Sequence, residues 1–508
     1  MNNRIAAAAV IVIVAALTLL FVKNTIDLQN TPVKDNAHST VRTVKPDKKS
    51  DEPGEKAQNG DQTDNETKKD NNKDSNGENK TESEVKTDTK SDTKSDKKSE
   101  SKSDKNTDKS TDKNTDKNDE KTDKKKSDSS KPAAVANYPL AVSALGEVSQ
   151  KVQTTRVSFV ACGDNIVHST VLADAKDLAA GTDKEYNFIP MFSNVADIIK
   201  DADIAYINQE SPFGGPEKGY SGYPMFNSPD QVGYDLMELG FDIVNLANNH
   251  MLDSGTSGYA RTVEFWKQQP ITYIGGYTDK DDYNNIRVIE KDGISIALLS
   301  YTYGTNGIPL ASSSKMVIPL CDESGTKDID RMTKEARKLA DIVMVSIHWG
   351  NEDWFKPSEL QKKQMQIMVD NGVDVIIGTH PHVLEPMEWH ERPDGGRTLV
   401  IYSLGNFLSG MLYMRNMVGG IAGFDLVKAG DAAFVDAPYF IPTVCQYNTS
   451  WRKFKIYKFS DYTEDLLSAH RCQRISDPGN TMSGLRRIID NAIPNEFLIE
   501  DFYRTDEE

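Results

Sequence analysis

Short runs of β-branched residues alternate with longer amphipathic stretches through most of residues 153–402. Strands separated by helical patterns indicate βαβ units, so this alternation predicts an α/β sandwich. The predicted strands are 157–162, 204–208, 243–247, 271–274, 342–347, 375–378 and 398–402, with a hairpin-like pair at 286–290 and 294–301. The predicted helices are 192–200, 229–239, 259–267, 327–340 and 358–371.

Residues that can bind a metal follow five of these strands. Functional groups in such sheets collect just beyond the carboxyl ends of the strands, so we expect these side chains to meet at one edge of the sheet. Taken singly, each is more often a turn former, a helix cap or a satisfied polar group. Because they recur at equivalent positions after five strands, one metal site explains them better than five independent coincidences. They are Asp164, Glu210, Asn249, His250, His348, His380 and His382.

This set offers oxygen and imidazole donors without thiolate, a combination that suits Zn, Mn or Fe. Six or seven such ligands, with a carboxylate that can bridge, suffice for two ions roughly 3.5–4 Å apart. Paired ions clamp the attacking and leaving oxygens of a displacement. We therefore expect a metal-dependent hydrolase that acts on a phosphoester or a related centre. Cys162 adjoins the predicted site, but a lone strand cysteine is more often a small buried hydrophobe.

An 18-residue apolar run, residues 5–22, is interrupted only by Thr18. As a helix it would span ~27 Å, close to the ~30 Å hydrocarbon core of a bilayer. A cleaved signal peptide has a shorter apolar region that ends in small residues, whereas this run ends in Leu-Leu-Phe-Val before Lys23. We expect residues 1–22 to be an uncleaved, single-pass anchor in the cell membrane, with the rest of the chain extracellular.

Residues 46–131 hold 22 Lys, 24 Asp and Glu, no aromatic residue, and only Ala57 and Val85 as apolar side chains. Such a segment cannot bury enough surface to offset the entropy of ordering, which predicts a disordered linker over residues 23–150. Because this tract is nearly neutral, almost all of the net charge of −17 belongs to the remaining chain. A domain with so large a negative charge is not expected to bind nucleic acid as a partner.

Six ordered motifs within residues 156–424 add a resemblance to this interpretation. They are Gly163-Asp164, Asn208-Gln209-Glu210-Ser211-Pro212, Asn248-Asn249-His250-Met251-Leu252-Asp253, Ser346-Ile347-His348-Trp349-Gly350, Gly378-Thr379-His380-Pro381-His382-Val383 and Tyr402-Ser403-Leu404-Gly405-Asn406-Phe407. Together they resemble the CapA (PgsA) family of poly-γ-glutamate capsule proteins, which is similar in fold to calcineurin-like metallophosphoesterases. The resemblance implies a metallophosphoesterase-like domain over residues 151–460 and a C-terminal extension over residues 461–508.

The resemblance also implies a role for each site residue. Asp164 and His382 would hold one ion, and Glu210 would bridge the two. The second ion would be held by Asn249, His348 and His380. His250 would face the leaving group, with Asp253 orienting its imidazole, and Asn406 is a candidate for substrate binding.

One position departs from the phosphoesterase pattern. Ile166 stands two residues after Asp164, where that pattern has a histidine. One metal position is therefore expected to be poor in ligands, weakly occupied or filled by a different ion. His168 is a candidate for partial compensation.

The function that the resemblance implies is synthesis or export of poly-γ-glutamate or a related anionic envelope polymer, with two divalent ions as cofactors. The polymer or a phosphoester would be the substrate, and capsule synthase subunits are candidate partners. Two alternatives stay open. One is a non-catalytic scaffold or export component of a capsule complex, which the missing histidine favours. The other is a surface phosphatase or phosphodiesterase that acts on another substrate.

Overall fold

Strand β1 (Thr154–Asn165) is the centre of the first of two sheets, and it is buried from Phe159 to its end. The computed structural model describes residues 154–503. The other strands of this sheet are β2 (Ile204–Gln209), β3 (Ile243–Asn245), β4 (Thr272–Ile274), β11 (Asn406–Leu408), β12 (Val418–Ala429), β13 (Ala432–Gln446) and β14 (Lys455–Lys458). The strand order is β14-β13-β12-β1-β2-β3-β4, and β11 pairs with the end of β1. Strands β1 to β4 run parallel, whereas β12, β13 and β14 form an antiparallel extension.

The second sheet is formed by β5 (Arg287–Lys291), β6 (Ile294–Thr302), β7 (Ile342–His348), β8 (Val375–Thr379), β9 (Leu384–Glu391) and β10 (Arg397–Leu404). Their order is β5-β6-β7-β8-β10-β9. The four inner strands are parallel, and the edge strands β5 and β9 are antiparallel to their neighbours. The antiparallel β5–β6 pair is the hairpin that the sequence predicts.

Helices fill most of the connections between strands. They are α1 (Ser169–Leu178), α2 (Ile189–Phe192), α3 (Ala196–Asp201), α4 (Gln231–Glu238), α5 (Gly255–Lys267), α6 (Lys280–Asn284), α7 (Thr326–Ala336), α8 (Glu359–Asp370), α9 (Glu464–Ala469), α10 (Met482–Ala492) and α11 (Glu500–Tyr503). Across residues 154–503, none of these helices has the length and apolar composition needed to cross a bilayer. The expected anchor, residues 1–22, and linker, residues 23–150, lie outside the described residues.

The two sheets pack against each other, and alternate residues of β7 show how. Ile342 and Met344 belong to the large core shared with the first sheet, whereas Val343 and Val345 pack into a second cluster with residues of α7 and α8. Successive side chains of a strand point to opposite faces, so β7 is covered on both sides. The result is an α/β sandwich, as predicted.

Residues 461–503 pack on the same core as the preceding strands. Tyr462, Leu467, Leu485 and Phe497 are buried in the large core cluster. The backbone N–H of Phe440 in β13 donates a hydrogen bond of 2.6 Å to the carbonyl of Phe497. Within the described residues, therefore, the boundary expected at residue 460 is not a break in packing.

Candidate metal centre

The predicted metal ligands come from both sheets. The expectation of a single sheet edge was wrong, because the β5–β6 hairpin opens a second sheet and strands β7 to β10 join it. The ends of parallel strands from the two sheets meet around the ligands. Asp164, Glu210 and Asn249 lie at or just after the ends of strands of the first sheet. His348, His380 and His382 lie at or just after the ends of strands of the second.

Asp164 is fully buried at the end of β1, and polar groups surround its carboxylate. One oxygen, Oδ1, accepts a hydrogen bond of 2.6 Å from Nδ2 of Asn208 in β2. The other, Oδ2, accepts from the backbone N–H of His380 at 3.3 Å and lies 3.2 Å from Nδ1 of His382. Asp164 thus joins the ends of β1 and β8, one strand from each sheet.

Glu210 has a buried carboxylate that lacks hydrogen-bond donors. Neither of its oxygens has a hydrogen-bond partner among the described residues. Three imidazoles surround Oε1: Nε2 of His348 and of His382 each lie at 3.7 Å, and Nε2 of His250 lies at 3.9 Å. Burial and the neighbouring Asp164 carboxylate raise the pKa of Glu210 well above its usual value. An unpartnered buried carboxylate is costly, and a bound cation would remove that cost.

His348 lies fully buried at the end of β7, between Thr379 and Asn249. Its Nδ1 is 2.9 Å from Oγ1 of Thr379, and its Nε2 is 2.9 Å from Oδ1 of Asn249. Burial and the nearby imidazoles of His380 and His382 lower the pKa of His348 well below its usual value. The neutral imidazole is the form that binds metals.

His380 and His382 flank Pro381 and have unusual backbone conformations, with φ of 101° and 57°. Positive φ is uncommon in residues other than glycine and concentrates at functional sites. Burial and His382 lower the pKa of His380, and Nδ1 of His380 is buried without a partner among the described residues. Burial also lowers the pKa of His382, but Glu210 and Asp164 outweigh it and raise that pKa to about 10. A positive charge is therefore favoured beside the two carboxylates.

Two groups of three side chains have the geometry of metal ligands. In each group, one ligand atom per residue lies within 4.8 Å of the others. The first group is Asp164, Glu210 and His348, and the second is Glu352, His380 and His382. The orphaned atoms of Glu210 and His380 and the oxygen and imidazole donors fit divalent transition ions. The grouping differs from the expected one, and it adds Glu352, which the sequence did not single out as a ligand.

His250 lies beside these groups and is oriented by Asp253. Its Nδ1 is 2.7 Å from Oδ2 of Asp253, which also accepts a hydrogen bond of 2.7 Å from the backbone N–H of Phe226. The Phe226 ring meets the imidazole edge-on, with 4.7 Å between the ring centroids. These contacts leave Nε2 of His250 on the side of Glu210. The pair thus has the arrangement of an acid–base histidine with its orienting carboxylate.

Asn406 lies behind His382 and is fully buried. Its Oδ1 is 3.0 Å from Nδ1 of His382, and its Nδ2 donates to the carbonyl of Asn416 at 2.9 Å. Both ends of the amide are occupied, so Asn406 holds an imidazole rather than facing a substrate. Nδ1 of His168, the suggested replacement ligand, accepts a hydrogen bond of 3.1 Å from the backbone N–H of Gly410, and His168 lines the same cleft as Glu210 and His382.

A cleft of about 380 Å³ opens beside the candidate ligands. Glu210, His250, Glu352 and His382 are among its lining residues. The remaining wall is largely apolar and aromatic, with Tyr223, Phe226, Met411, Leu412, Tyr413 and Trp451. Trp349, the residue after His348, is a core residue whose indole N–H donates to the carbonyl of Tyr402 at 2.9 Å.

Polar residues that support the site could be found only partly from the sequence. Asn208 holds Asp164, and Nδ2 of Asn245 in turn donates to Oδ1 of Asn208 at 2.7 Å. Both asparagines stand at strand ends, and that position could have indicated from the sequence that they support the site. Oδ1 of Asn306, in a loop after β6, accepts a hydrogen bond of 3.2 Å from Nδ2 of Asn249, and no local pattern marks that contact.

The four cysteines within the described residues are free and buried. Two of them, Cys445 and Cys472, lie near Tyr447, whose hydroxyl is 3.3 Å from Sγ of Cys472.

A family model described as "Bacterial capsule synthesis protein PGA_cap" matches residues 158–411, which include every residue of the site. The PGA biosynthesis protein CapA of Bacillus subtilis (strain 168) is 33% identical over 205 residues, 40% of this chain and 52% of that protein. The capsule biosynthesis protein CapA of Bacillus anthracis is 28% identical over 247 residues, 48% of this chain and 59% of that protein. The chain thus spans between half and three fifths of the length of these relatives.

Two solved structures align with the chain at low similarity. A phosphatase from Mycoplasma pneumoniae has a TM-score of 0.37 and 14% identity, covering 57% of this chain and 95% of that one. The calcineurin-like phosphoesterase YfkN of Bacillus subtilis has a TM-score of 0.33 and 13% identity, covering 66% of this chain and 99% of that one. The fold assignment rests on the strand order described above rather than on these alignments.

Proposed function

The chain belongs to the bacterial capsule synthesis family PGA_cap, and from this we propose that it acts in the synthesis or export of poly-γ-glutamate or a related anionic envelope polymer. We further propose that it does so through a dinuclear metal hydrolase site. The observation that most directly supports the metal site is the buried Glu210 carboxylate, surrounded by imidazoles and without a hydrogen-bond donor among the described residues.

Six buried residues and one exposed one would hold the ions. Asp164, Glu210 and His348 form one donor group, His380 and His382 contribute to the other with Glu352, and Asn249 adds an amide oxygen beside His348. When bound, paired divalent ions would supply Lewis acidity and activate a water molecule for attack. The protein's own contribution is to fix the donors on strand ends from two sheets.

His250 would move the proton that the leaving group needs. Asp253 holds Nδ1, so Nε2 is the nitrogen that faces the cleft and can donate to a departing oxygen. General acid catalysis of this kind typically contributes ~10²–10⁴-fold to a rate. Phe226 restricts the imidazole by edge-on packing and shields its outer side from water.

A second groove supports contact with an anionic polymer. It has a volume of about 960 Å³ and is lined by Lys356, Lys362, Arg487 and His390, with Glu388 as the carboxylate among its lining residues. Among the described residues, by contrast, no Lys or Arg lines the cleft at the metal site. Charge complementarity therefore favours the groove for the polymer chain and the metal cleft for the reacting group.

The cellular location belongs to the same proposal. The apolar run of residues 5–22 is long enough for an uncleaved anchor, and the polar tract after it is long enough for a stalk. We propose that the domain lies outside the cell, tethered to the membrane and near capsule synthase subunits.

The test combines metal analysis, kinetics and a cellular readout on the full-length chain. Metal content is measured after loading with Mn²⁺, Zn²⁺ or Fe²⁺, and hydrolysis is measured on panels of phosphomonoesters, phosphodiesters and γ-glutamyl amides. Cells that lack the gene are complemented with the wild type or with Glu210→Gln, and surface poly-γ-glutamate is measured.

The proposal requires about two ions per chain, metal-dependent turnover on at least one panel, and loss of polymer with Glu210→Gln. If a metal-free Glu210→Gln chain still supports full polymer production, the proposed hydrolase function would be wrong, and a non-catalytic scaffold would take its place. Normal polymer in cells without the gene, together with metal-dependent ester hydrolysis, would favour a surface phosphatase that acts on another substrate.

A further inference from the structure

Position 166 leaves the proposed metal site one imidazole short. Ile166 is buried and lines the metal cleft with His382 and Glu352. Its aliphatic side chain offers no donor atom. If the site holds two ions, the missing ligand has to come from elsewhere in the chain.

Glu352 has the geometry to supply that ligand. It lies in the loop between β7 and α8, and a carboxylate oxygen, a nitrogen of His380 and a nitrogen of His382 lie within 4.8 Å of one another. The side chain is exposed, so its carboxylate reaches the imidazoles from the cleft rather than from the core. It thus faces the side of the site from which a substrate would enter.

The loop that contains Glu352 is tied to the ligand histidines by its backbone. The N–H of Asp353 donates a hydrogen bond of 2.9 Å to the carbonyl of Pro381, the residue between His380 and His382. Asp353 itself has φ of 63°, a conformation that non-glycine residues adopt only where the surrounding contacts impose it. Three positive-φ residues therefore meet at this point.

Side chains fix the same loop a second time. Oδ1 of Asp353 accepts from Nε of Arg415 at 3.0 Å and from Nδ2 of Asn416 at 2.8 Å. Nδ2 of Asn416 also donates to the carbonyl of His382 at 3.2 Å. These contacts hold the residue after Glu352 at a set distance from His382.

We propose that Glu352 is a ligand of the cleft-side ion and takes the place of the imidazole that Ile166 lacks. The inference rests on the dinuclear centre proposed above. The cleft-side position would then offer two imidazoles and one carboxylate, a donor set that suits divalent first-row transition ions. An exposed loop completes that position, and Mn²⁺ serves as the probe ion for it.

The experiment measures the number and affinity of bound Mn²⁺ ions on the full-length chain by equilibrium dialysis and calorimetry. Glu352→Gln keeps the size of the side chain and removes its charge. Glu359→Gln is the matched control, since Glu359 is exposed near the same loop and pairs only with Lys362 among the described residues. A third chain combines Glu352→Gln with Ile166→His, which returns an imidazole to the cleft.

We expect two Mn²⁺ ions in the wild type and in Glu359→Gln. In Glu352→Gln, one ion should keep its affinity and the other should bind at least about tenfold more weakly. Ile166→His should restore the second ion in the double variant. Two ions of unchanged affinity in Glu352→Gln would overturn the assignment while leaving the dinuclear site intact. A wild type that binds no ion would instead overturn the proposed function, and this inference with it.

Discussion

Oδ2 of Asp253 accepts two hydrogen bonds of 2.7 Å, one involving Nδ1 of His250 and one from the backbone N–H of Phe226. The carboxylate therefore connects the imidazole to the wall of the cleft. Because Nδ1 is held in this way, Nε2 points toward Glu210 and the cleft. A mutation of Asp253 would therefore disturb the orientation of the His250 imidazole, whereas a mutation of His250 would remove the imidazole itself.

Replacing His250 should lower turnover without releasing the ions. His250→Ala removes the proton donor, so kcat on an ester with a poor leaving group should fall ~10²–10⁴-fold. The deficit should shrink for esters whose leaving groups depart without a proton. Metal analysis of the same preparation checks the separation, because loss of metal in His250→Ala would make His250 a ligand.

Asn406→Ala should weaken metal binding even though Asn406 need not touch an ion. Oδ1 of Asn406 lies 3.0 Å from Nδ1 of His382, and removing it frees that imidazole to rotate. Losses of this kind typically cost ~10–100-fold in metal affinity. Titration with Mn²⁺ measures the change. An unaltered Kd would show that Asp164 alone orients His382.

Gly378→Ala should destabilise the fold beside the ligands. A Cβ at this position would lie 2.0 Å from the carbonyl oxygen of Tyr402 in the neighbouring strand, and that backbone atom cannot rotate away. We expect a loss of about 1–3 kcal/mol or more in the free energy of unfolding. Gly304→Ala is the control, since no described atom lies within 4 Å of a Cβ there. Equal stability of the two variants in urea denaturation would contradict the packing described here.

Glu385 should make stability depend on pH. Burial raises the pKa of Glu385 to about 7 from its usual value of 4.5, although Nε2 of Gln361 donates to its carboxylate at 2.7 Å. Between those values the folded chain binds a proton that the unfolded chain has lost. The free energy of unfolding should therefore fall as pH rises from about 4.5 to about 7, by on the order of 3 kcal/mol.

Glu385→Gln should remove that dependence, because the amide has the shape of the protonated acid and does not ionise. Wild type and variant should unfold at similar urea concentrations at pH 4.5, and the variant should be the more stable at pH 8. Parallel stability curves over this range would show that Glu385 stays ionised in the folded chain.

The parallel half of the fold could be predicted because its signals are local. Strands β1, β2, β3, β7 and β8 are short apolar runs that end in polar residues, and helices separate them. That pattern places Asp164, Glu210 and His348 at strand ends without any knowledge of the tertiary structure. It cannot tell whether successive strands join one sheet or two, since that depends on long-range pairing.

The antiparallel strands after β11 could not be predicted in the same way. Strand β12 contains Gly419, Gly420 and Gly423, and glycine weakens a strand pattern. In the structure, the rings of Phe440 and Tyr439 in β13 cover Gly420 and Gly423. The compensation comes from the neighbouring strand, so β12 alone does not reveal it.

Glu352 is a case in which the sequence contained the residue but did not indicate its place beside His380 and His382. Its position depends on the hydrogen bond from Asp353 to Pro381, which joins two separate loops. Conformations with positive φ at Asp353, His380 and His382 are set by that contact and by their neighbours. Local propensity disfavours all three.

The division of the ligands between two sheets also has a consequence for the order of events during synthesis. Asp164 and His380 are separated by 216 positions in the chain, so a ribosome has made most of the domain before the last donors exist. A partly translated chain presents Asp164, Glu210 and Asn249 without the histidines that complete the set. In the proposed dinuclear site, binding of both ions would therefore have to wait until both sheets have formed, and a chain that held both ions would already have folded.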